Sequence, residues 1–271
     1  MSEHGFAERY GSWALIAGAS EGLGAAYART LASRGMKLLL VARRRGPLDA
    51  LAEEVRGATG VEVRCIEGDL ASEAFLESLV AACAELDLGL VVCNAAQAPI
   101  GEFVSRDRDD LMRVVDVNVR MPVVLLRELL PGMKARGRGA AIIMTSLTGG
   151  LGTARIASYA ASKAFLRVLG ESLWYELKDH GVDVLACVCG AVRTPGYSTA
   201  AGRDAPGTLD AHVVVERALR ALGRGPVVMP GAVNRIATFI MMRVLPRRTA
   251  IGILARSTVS LADVKETKEQ Q

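Results

Sequence analysis

Two residues of this 271-residue chain have side chains that could transfer a proton together, Tyr159 and Lys163. They are four residues apart, so on a helix they lie on the same face, one turn apart. A phenol with a pKa of about 10 is a poor acid or base at neutral pH, but a fixed ammonium nearby stabilises the phenolate and lowers that pKa. The pair therefore predicts a tyrosine acid or base. The plain alternative is a tyrosine packed on the core and a lysine in water.

A serine precedes this pair at a place where it could contact a substrate. Ser146 follows the apolar run Ala140 to Thr145, which predicts a strand, and precedes Tyr159 by thirteen residues. The carboxyl end of such a strand faces the ligand crevice of an open α/β sheet. A hydroxyl there can hydrogen-bond an oxygen on which negative charge develops. A serine hydrolase is a third interpretation, but we expect no Gly-x-Ser-x-Gly elbow in this chain and do not favour that function.

A glycine-rich turn near the start of the chain predicts a phosphate site. The run Trp13 to Gly18 reads as a short strand, and Gly18-Ala-Ser-Glu-Gly22-Leu-Gly24 leads from it into a helical pattern over Ala25 to Ser33. Glycines let the backbone turn sharply and approach a pyrophosphate, which the N–H groups and dipole of the helix start then bind. A glycine-rich connector without a ligand is the alternative. The candidate cofactor-binding residues of this turn are Gly18, Ser20, Glu21, Gly22, Leu23 and Gly24.

The next strand indicates which dinucleotide would bind. It covers Lys37 to Ala42 and is followed by Arg43, Arg44 and Arg45, with no acid. In dinucleotide folds an acid after this strand binds the ribose hydroxyls of NAD, whereas arginine accommodates the 2′-phosphate of NADP. Because guanidinium pairs with phosphate through charge-assisted hydrogen bonds, Arg43 and Arg44 favour NADP over NAD. A solvated charged loop is the alternative.

Together, the Gly-x-x-x-Gly-x-Gly spacing, the serine and the Tyr-x-x-x-Lys pair resemble the short-chain dehydrogenase/reductase family over residues 13–229. The resemblance implies hydride transfer between a nicotinamide and a carbonyl or secondary alcohol. Tyr159 would be the general acid in reduction and the general base in oxidation. Lys163 would lower the pKa of Tyr159 and bind the nicotinamide ribose. Ser146 would bind the substrate oxygen, and Asn118 would hold a proton-relay water.

The same resemblance places cofactor contacts after the third, fourth and sixth predicted strands. Asp69 matches a residue that meets the adenine ring, although it could simply cap a helix that begins near Ser72. Two positions depart from the family pattern: Ala96 stands where glycine is usual, so a Cβ must fit there, and Cys189 replaces a proline, which leaves the path of its loop open. The implied cofactor contacts are Asp69, Leu70, Asn94, Ala95, Gly190, Val192 and Thr194, with Tyr159 and Lys163.

Apolar strands alternate with helical patterns along the chain, which predicts an α/β fold with a doubly wound, Rossmann-like parallel sheet. Residues 1–230 form one dinucleotide-binding and catalytic domain. We expect residues 231–271 to form a C-terminal helical extension packed on that domain or on a partner subunit. The other predicted strands are Val61–Glu67, Gly89–Cys93, Val182–Val188 and Pro226–Met229, and the other predicted helices are Pro47–Ala58, Asp109–Lys134, Ala157–His180 and Leu209–Leu222.

Composition argues against several other classes of protein. The net charge of +4 comes from arginines scattered along the chain, and aromatic residues make up only 4%, so we do not expect nucleic-acid binding. The five cysteines have no Cys-x-x-Cys spacing and the three histidines are far apart, so we expect no metal site. Residues 1–11 have no apolar signal region, and no apolar run reaches the length of a membrane span. Four of the five cysteines fall in strand-like or helix-like apolar stretches, so we expect a reducing, cytoplasmic setting.

These observations predict an NADP-dependent oxidoreductase that acts on a small, lipophilic ketone or alcohol, such as a steroid, polyketide or acyl compound. The family resemblance implies a homodimer or homotetramer, with the helices Asp109–Lys134 and Ala157–His180 paired across a two-fold axis. Residues 195–208 read as a mobile substrate loop. The alternative is a non-catalytic NADP(H)-binding sensor or scaffold, but family members of that kind usually lose the tyrosine or the lysine.

The C-terminal extension is the least family-like part. Residues 235–245 predict a helix that ends before Pro246, and apolar side chains on all its sides predict burial. We expect it to close the substrate pocket or to pack on a neighbouring subunit. Contact with a membrane surface is the less favoured alternative, which Arg247, Arg248 and Arg256 keep open.

Overall fold

The computed structural model describes residues 5–195, 197, 204–256 and 258. Its strands are β1 (Trp13–Ala17), β2 (Lys37–Ala42), β3 (Val63–Glu67), β4 (Leu88–Cys93), β5 (Gly139–Ser146), β6 (Val182–Cys189), β7 (Val192–Arg193), β8 (Leu209–Asp210) and β9 (Val227–Val228). Seven of them form one parallel sheet in the order β3-β2-β1-β4-β5-β6-β9, and β7 pairs with β8. The predicted doubly wound sheet is confirmed.

Helices connect these strands and cover both faces of the sheet. They are α1 (Gly5–Tyr10), α2 (Gly22–Ser33), α3 (Arg45–Thr59), α4 (Glu73–Ala84), α5 (Arg108–Val115), α6 (Met121–Arg136), α7 (Ala157–Leu177), α8 (Ala211–Ala221), α9 (Ala232–Phe239) and α10 (residues 247–256). Leu38 and Leu40 of β2 face one core, and Leu39 and Val41 face the other. Because side chains alternate along a strand, a sheet covered on both faces needs apolar residues at every position.

The order of the strands determines where a ligand binds. The chain winds outward from β1 through β2 to β3, then returns to place β4 on the other side of β1. A crevice opens at this reversal, beyond the carboxyl ends of β1 and β4, and ligands of open α/β sheets bind there. The glycine-rich turn follows β1, and Asn94 follows β4.

Two predicted helices differ from the structure. The pattern over residues 109–134 divides into α5, a π-helical turn over Asp116–Arg120, and α6. The helix predicted from Leu209 begins only at Ala211, because Leu209 and Asp210 extend to pair with Val192 and Arg193. Residues 196 and 198–203 of the predicted substrate loop lie outside the described residues.

The C-terminal segment has the expected helical form, and within this single chain most of its side chains are exposed. Helix α9 continues as a π-helical turn, Ile240–Val244, and Leu245 is extended before Pro246, as residues that precede proline prefer. The buried residue of α9 is Asn234, whose Nδ2 donates to the carbonyls of Gly207 and Pro230. Because this polar residue faces the protein, apolar residues of the same helix face outward. Among the described residues no helix is both long and apolar enough to cross a bilayer.

Candidate active site

The turn after β1 brings two stretches of backbone unusually close together. Gly18 and Gly22 have positive φ angles of 88° and 58°, which glycine adopts without strain. A Cβ on Gly24 would lie 2.0 Å from the carbonyl oxygen of Gly18. Helix α2 starts at Gly22, and the side chain of Glu21 does not cap it. The first N–H groups of the helix are thus left for an anion, and the turn fits the pyrophosphate of a dinucleotide.

Asn94 connects the end of β4 to this turn. Its Nδ2 donates to the carbonyl of Gly18 at 2.7 Å, and the N–H of Ala95 donates to Ala17 at 2.7 Å. The backbone of Ala95 is so near that a Cβ on Gly18 would lie 2.7 Å from its Cα. Ala96 is exposed, so its methyl group, which replaces the family's hydrogen, has room.

The segment after β6 reaches the glycine-rich turn from the other side. A Cβ on Gly22 would lie 2.9 Å from Cγ2 of Thr194, so these two predicted residues are neighbours. Val192 is buried, and Gly190 lies against the side chain of Asn234. Cys189, which replaces the usual proline, ends β6 beside Ser146 in the sheet register. The strand thus continues to Cys189, and its loop still returns to the turn.

The two candidate arginines after β2 have different surroundings. Arg44 Nη2 donates to Glu21 Oε2 at 2.7 Å, and both side chains are about half exposed. Arg43 is exposed and has no hydrogen-bond partner among the residues that the structure describes. It lies near enough to Asp69 to lower the pKa of that carboxyl group. Arg43 is therefore the arginine whose donors remain available to a phosphate.

Asp69 does not cap a helix. Ser72 caps α4 by accepting from the N–H of Phe75. The Asp69 carboxylate instead accepts from the N–H of Ala71 and from Arg113 Nη2, at 3.0 and 2.9 Å. Burial raises its pKa, but these hydrogen bonds and the positive charges of Arg113 and Arg43 outweigh burial and lower the pKa overall. The following Leu70 is buried.

Helix α7 carries Tyr159 and Lys163 toward the carboxyl end of β5. Lys163 is 3% exposed, and its Nζ donates to the carbonyl of Met144 at 2.9 Å. The same Nζ lies 5.6 Å from the centroid of the Tyr159 ring. Ser146 accepts hydrogen bonds from the N–H and the hydroxyl of Thr148, at 3.3 and 3.0 Å. The structure thus brings Ser146, Tyr159 and Lys163 together, although the lysine is held by β5 rather than by the tyrosine.

The pKa of Tyr159 departs from the expectation. Burial raises it to about 12, and a hydrogen bond with Ser146 lowers it only in part. Burial also lowers the pKa of Lys163, to about 8. A charged lysine was expected to dominate the tyrosine, but loss of hydration acts on both groups and favours their neutral forms. In the protein by itself Tyr159 is therefore a protonated donor.

Asn118 is fully buried in the π-helical turn and uses its whole side-chain amide. Its Oδ1 accepts from the N–H of Gln97, and its Nδ2 donates to the carbonyl of Gln97 and to Ser162 Oγ. Ser162 Oγ donates to the carbonyl of Tyr159 at 2.7 Å. The amide therefore joins the loop after β4 to helix α7. Sequence reasoning missed Gln97 and Ser162, although Ser162 lies inside Tyr-Ala-Ala-Ser-Lys and could have been noticed there.

The expectation that the chain lacks a Gly-x-Ser-x-Gly pattern is wrong, because Ser20 lies in one. Gly18-Ala-Ser-Glu-Gly22 has the form Gly-x-Ser-x-Gly and connects a strand to a helix, as a hydrolase elbow does. A serine nucleophile needs an adjacent base. In the described ranges Ser20 has no hydrogen bond to a histidine, so this turn is not arranged for that chemistry.

Comparison with known families decides the assignment. A family model described as short chain dehydrogenase matches residues 12–203. The chain belongs to this family. It is 33% identical over 233 residues to a 7beta-hydroxysteroid dehydrogenase of Clostridium sardiniense, covering 85% of this chain and 89% of that protein. Members of the family are oxidoreductases that use a nicotinamide cofactor, and the uncapped start of α2 fits one.

Two solved structures extend the comparison to the fold. A structure from a study of 7beta-hydroxysteroid dehydrogenase stereoselectivity superimposes with a TM-score of 0.87 at 27% identity, over 92% of this chain and 98% of the other. A short-chain dehydrogenase from Sphingobium yanoikuyae in complex with NADPH gives a TM-score of 0.75 at 32% identity, over 80% and 87% of the two chains.

Proposed function

We propose that this protein transfers a hydride between NADP(H) and a lipophilic ketone or secondary alcohol. The observation that carries the proposal is the meeting of Ser146, Tyr159 and Lys163 beside a turn suited to a pyrophosphate. When bound, the nicotinamide supplies or accepts the hydride. The chain's own residues supply the proton and orient the substrate.

In this proposal Tyr159 donates its phenolic proton to the substrate oxygen during reduction. A raised pKa keeps that proton in place at neutral pH, and Ser146 stabilises the negative charge that develops on the oxygen. Lys163 binds the nicotinamide ribose and, as an ammonium, favours the phenolate that remains after transfer. Asn118 positions helix α7 through Ser162. The proposal also keeps the prediction that Asn118 holds a water molecule that relays protons.

The preference for NADP rests on Arg43. Its guanidinium is exposed, follows β2 directly and lies near Asp69, whose negative charge Arg113 already offsets. The relative from Sphingobium yanoikuyae that binds NADPH supports this choice of cofactor. Arg44 contributes indirectly, because its pairing with Glu21 neutralises a carboxylate that would repel a phosphate.

The proposed substrate class is lipophilic, and a hydroxysteroid is the first candidate. The relative from Clostridium sardiniense is named for that substrate. Met242 of the C-terminal segment lies close to Gly150, four residues beyond Ser146, since a Cβ on Gly150 would lie 2.9 Å from its Sδ. An unbranched thioether near the site suits an apolar ligand of irregular shape.

We also propose a homodimer or homotetramer, with α5, α6 and α7 packed across a two-fold axis. Exposed apolar side chains on these helices support it. They are Met112, Val115, Val123, Phe165, Val168 and Tyr175. Light scattering at micromolar concentration tests it, and a monomer mass would remove it.

The function is tested by NADPH consumption with a panel of ketones that includes 7-oxosteroids, alongside a Tyr159→Phe variant. We expect turnover by the wild type and a loss of at least about a hundredfold in kcat for the variant. Calorimetry should show that both proteins bind NADPH with similar affinity. A sensor or scaffold would bind NADPH equally but turn over no substrate with either protein, and that result would replace the enzyme proposal.

A further inference from the structure

Helix α9 and the π-helical turn after it are oriented opposite to an ordinary surface helix. Asn234 is 4% exposed and faces the protein, while Phe239 is 63% exposed. A surface helix normally buries its apolar stripe and leaves its polar face to water. Here five large apolar side chains face outward on neighbouring turns. They are Val233, Ile236, Phe239, Ile240 and Val244.

The charge of the same segment has one sign. Residues 232–256 contain no aspartate and no glutamate. Their charged residues are all exposed arginines, which are Arg235, Arg243, Arg247, Arg248 and Arg256. Helix α10 adds the exposed Ile253 between Arg248 and Arg256. The surface of this segment is therefore both apolar and cationic.

We infer that residues 232–256 bind the surface of an anionic phospholipid bilayer. The apolar side chains enter the boundary between headgroups and acyl chains, and the arginines contact lipid phosphates. Each basic residue near such a surface contributes attraction that falls off within a Debye length. The segment lies on the bilayer and does not cross it, in keeping with its division by Pro246 into two short helices.

A second copy of the chain suits this surface less well. A two-fold contact centred on this segment would place its two copies face to face. It would bring ten arginines together with no acid in either segment to pair with them. An anionic bilayer supplies the missing negative charge.

The segment is fixed to the catalytic domain next to the candidate site. Met242 approaches Gly150, and Thr258 Oγ1 contacts Thr153 and donates to the carbonyl of Ala154 at 3.0 Å. Asn234 ties the start of α9 to Gly207. A bilayer on the outer face of the segment would therefore lie beside the loop that follows β5. The inference concerns binding alone and stands whether or not the proposed reaction is correct.

The test is co-sedimentation of the full chain with vesicles of phosphatidylcholine, with and without phosphatidylglycerol. We expect binding only when phosphatidylglycerol is present, and its loss at about 1 M salt, where the Debye length is about 3 Å. The pair Arg247→Gln and Arg248→Gln should weaken binding by about 25-fold, roughly fivefold for each arginine. The pair Ile236→Ser and Phe239→Ser should weaken it by about tenfold or more.

Matched controls distinguish vesicle binding by this surface from non-specific electrostatic or hydrophobic binding elsewhere on the protein. Arg217→Gln with Arg224→Gln removes two exposed arginines elsewhere, and Phe103→Ser with Val104→Ser removes two exposed apolar residues elsewhere. Both controls should bind vesicles as the wild type does, and circular dichroism should show that all four variants are folded. Absence of binding to anionic vesicles at low salt would overturn the inference, and so would equal losses in the controls. A wild-type oligomer that the Ile236 and Phe239 changes dissociate, without any vesicle binding, would assign the surface to a second copy instead.

Discussion

Asn118 Nδ2 donates to Ser162 Oγ over 3.0 Å, although the two residues are 44 positions apart. That hydroxyl in turn donates to the carbonyl of Tyr159, one turn back on α7. A single buried amide thus connects the π-helical turn to the helix that carries both Tyr159 and Lys163. π-Helical turns occur frequently at functional sites, and here the turn places the amide within reach.

This contact predicts a positioning role for Ser162. Ser162→Ala should lower kcat about tenfold with little change in KM for NADPH, and should lower the free energy of unfolding by about 1 kcal/mol. The matched control is Ser172→Ala, because Ser172 also donates to a carbonyl of α7 but is exposed. Steady-state kinetics and urea unfolding of both variants check the prediction. Equal kcat values for the two variants would show that the Asn118 contact does not position the helix for catalysis.

Substitution of Gly24 should sharply weaken cofactor binding. A Cβ at this position would meet the carbonyl of Gly18 at 2.0 Å, so Gly24→Ala must open the turn. We expect calorimetry to show NADPH affinity reduced at least tenfold. Gly46→Ala is the control, since a Cβ there meets nothing within 4 Å, and its NADPH affinity should equal that of the wild type. If Gly24→Ala binds NADPH normally, the turn is not the pyrophosphate site.

The choice between cofactors can be tested at one exposed side chain. Arg43→Gln should weaken NADPH binding by about tenfold to a hundredfold, the contribution of hydrogen bonds to a charged group, and leave NADH nearly unchanged. Arg45→Gln is the control, because Arg45 already pairs with Asp49 at 2.6 Å. Dissociation constants for both cofactors with all three proteins check this. A wild type that binds NADH more tightly would remove the NADP assignment.

The burial of Lys163 predicts that replacing it will abolish activity but increase the stability of the fold. Burial lowers its pKa from about 10.5 to about 8, so below pH 8 the folded protein carries a charge whose burial costs on the order of 3 kcal/mol. Lys163→Met should therefore abolish turnover yet raise the free energy of unfolding at pH 7. Between pH 8 and 10.5 the folded lysine loses its proton while the unfolded one keeps it, so wild-type stability recovers and the advantage of the variant shrinks.

Denaturant unfolding without cofactor, at pH 7 and pH 9.5, measures this change. Lys178→Met, which alters an exposed lysine just beyond the end of α7, should shift stability by no more than about 0.5 kcal/mol. A Lys163→Met variant that is less stable than the wild type at pH 7 would contradict the argument.

Local patterns predicted the strands well. The apolar run of β2 and the glycines after β1 are signals contained within a few neighbouring residues, and the structure places them as expected. Contacts between distant segments left no such signal. The pairing of Glu21 with Arg44 and the contact of Asn118 with Ser162 depend on how the sheet brings loops together. The raised pKa of Tyr159 depends on burial, which spacing to Lys163 does not report.

The C-terminal segment also shows that a local pattern does not report contacts with distant parts of the chain. Apolar residues on all sides of a helical pattern predict burial only if the rest of the chain covers them. The pattern could not show that Asn234 would face the protein and direct Phe239 outward. Likewise, the local pattern placed a helix start at Leu209, because it could not show that Leu209 and Asp210 pair with the distant Val192 and Arg193.

The reactivity of the buried cysteines can report when the strands that carry them become exposed to water. Cys93 ends β4, and Cys187 and Cys189 lie on β6 with their sulfur atoms 3.7 Å apart. Burial raises the pKa of Cys93 to about 12, and the contact with Cys189, together with burial, raises that of Cys187. Since the thiolate is the reactive form, these thiols stay inert until water enters the sheet. Mass spectrometry of alkylated peptides would then time the exposure of β4 and β6 without any amino-acid substitution.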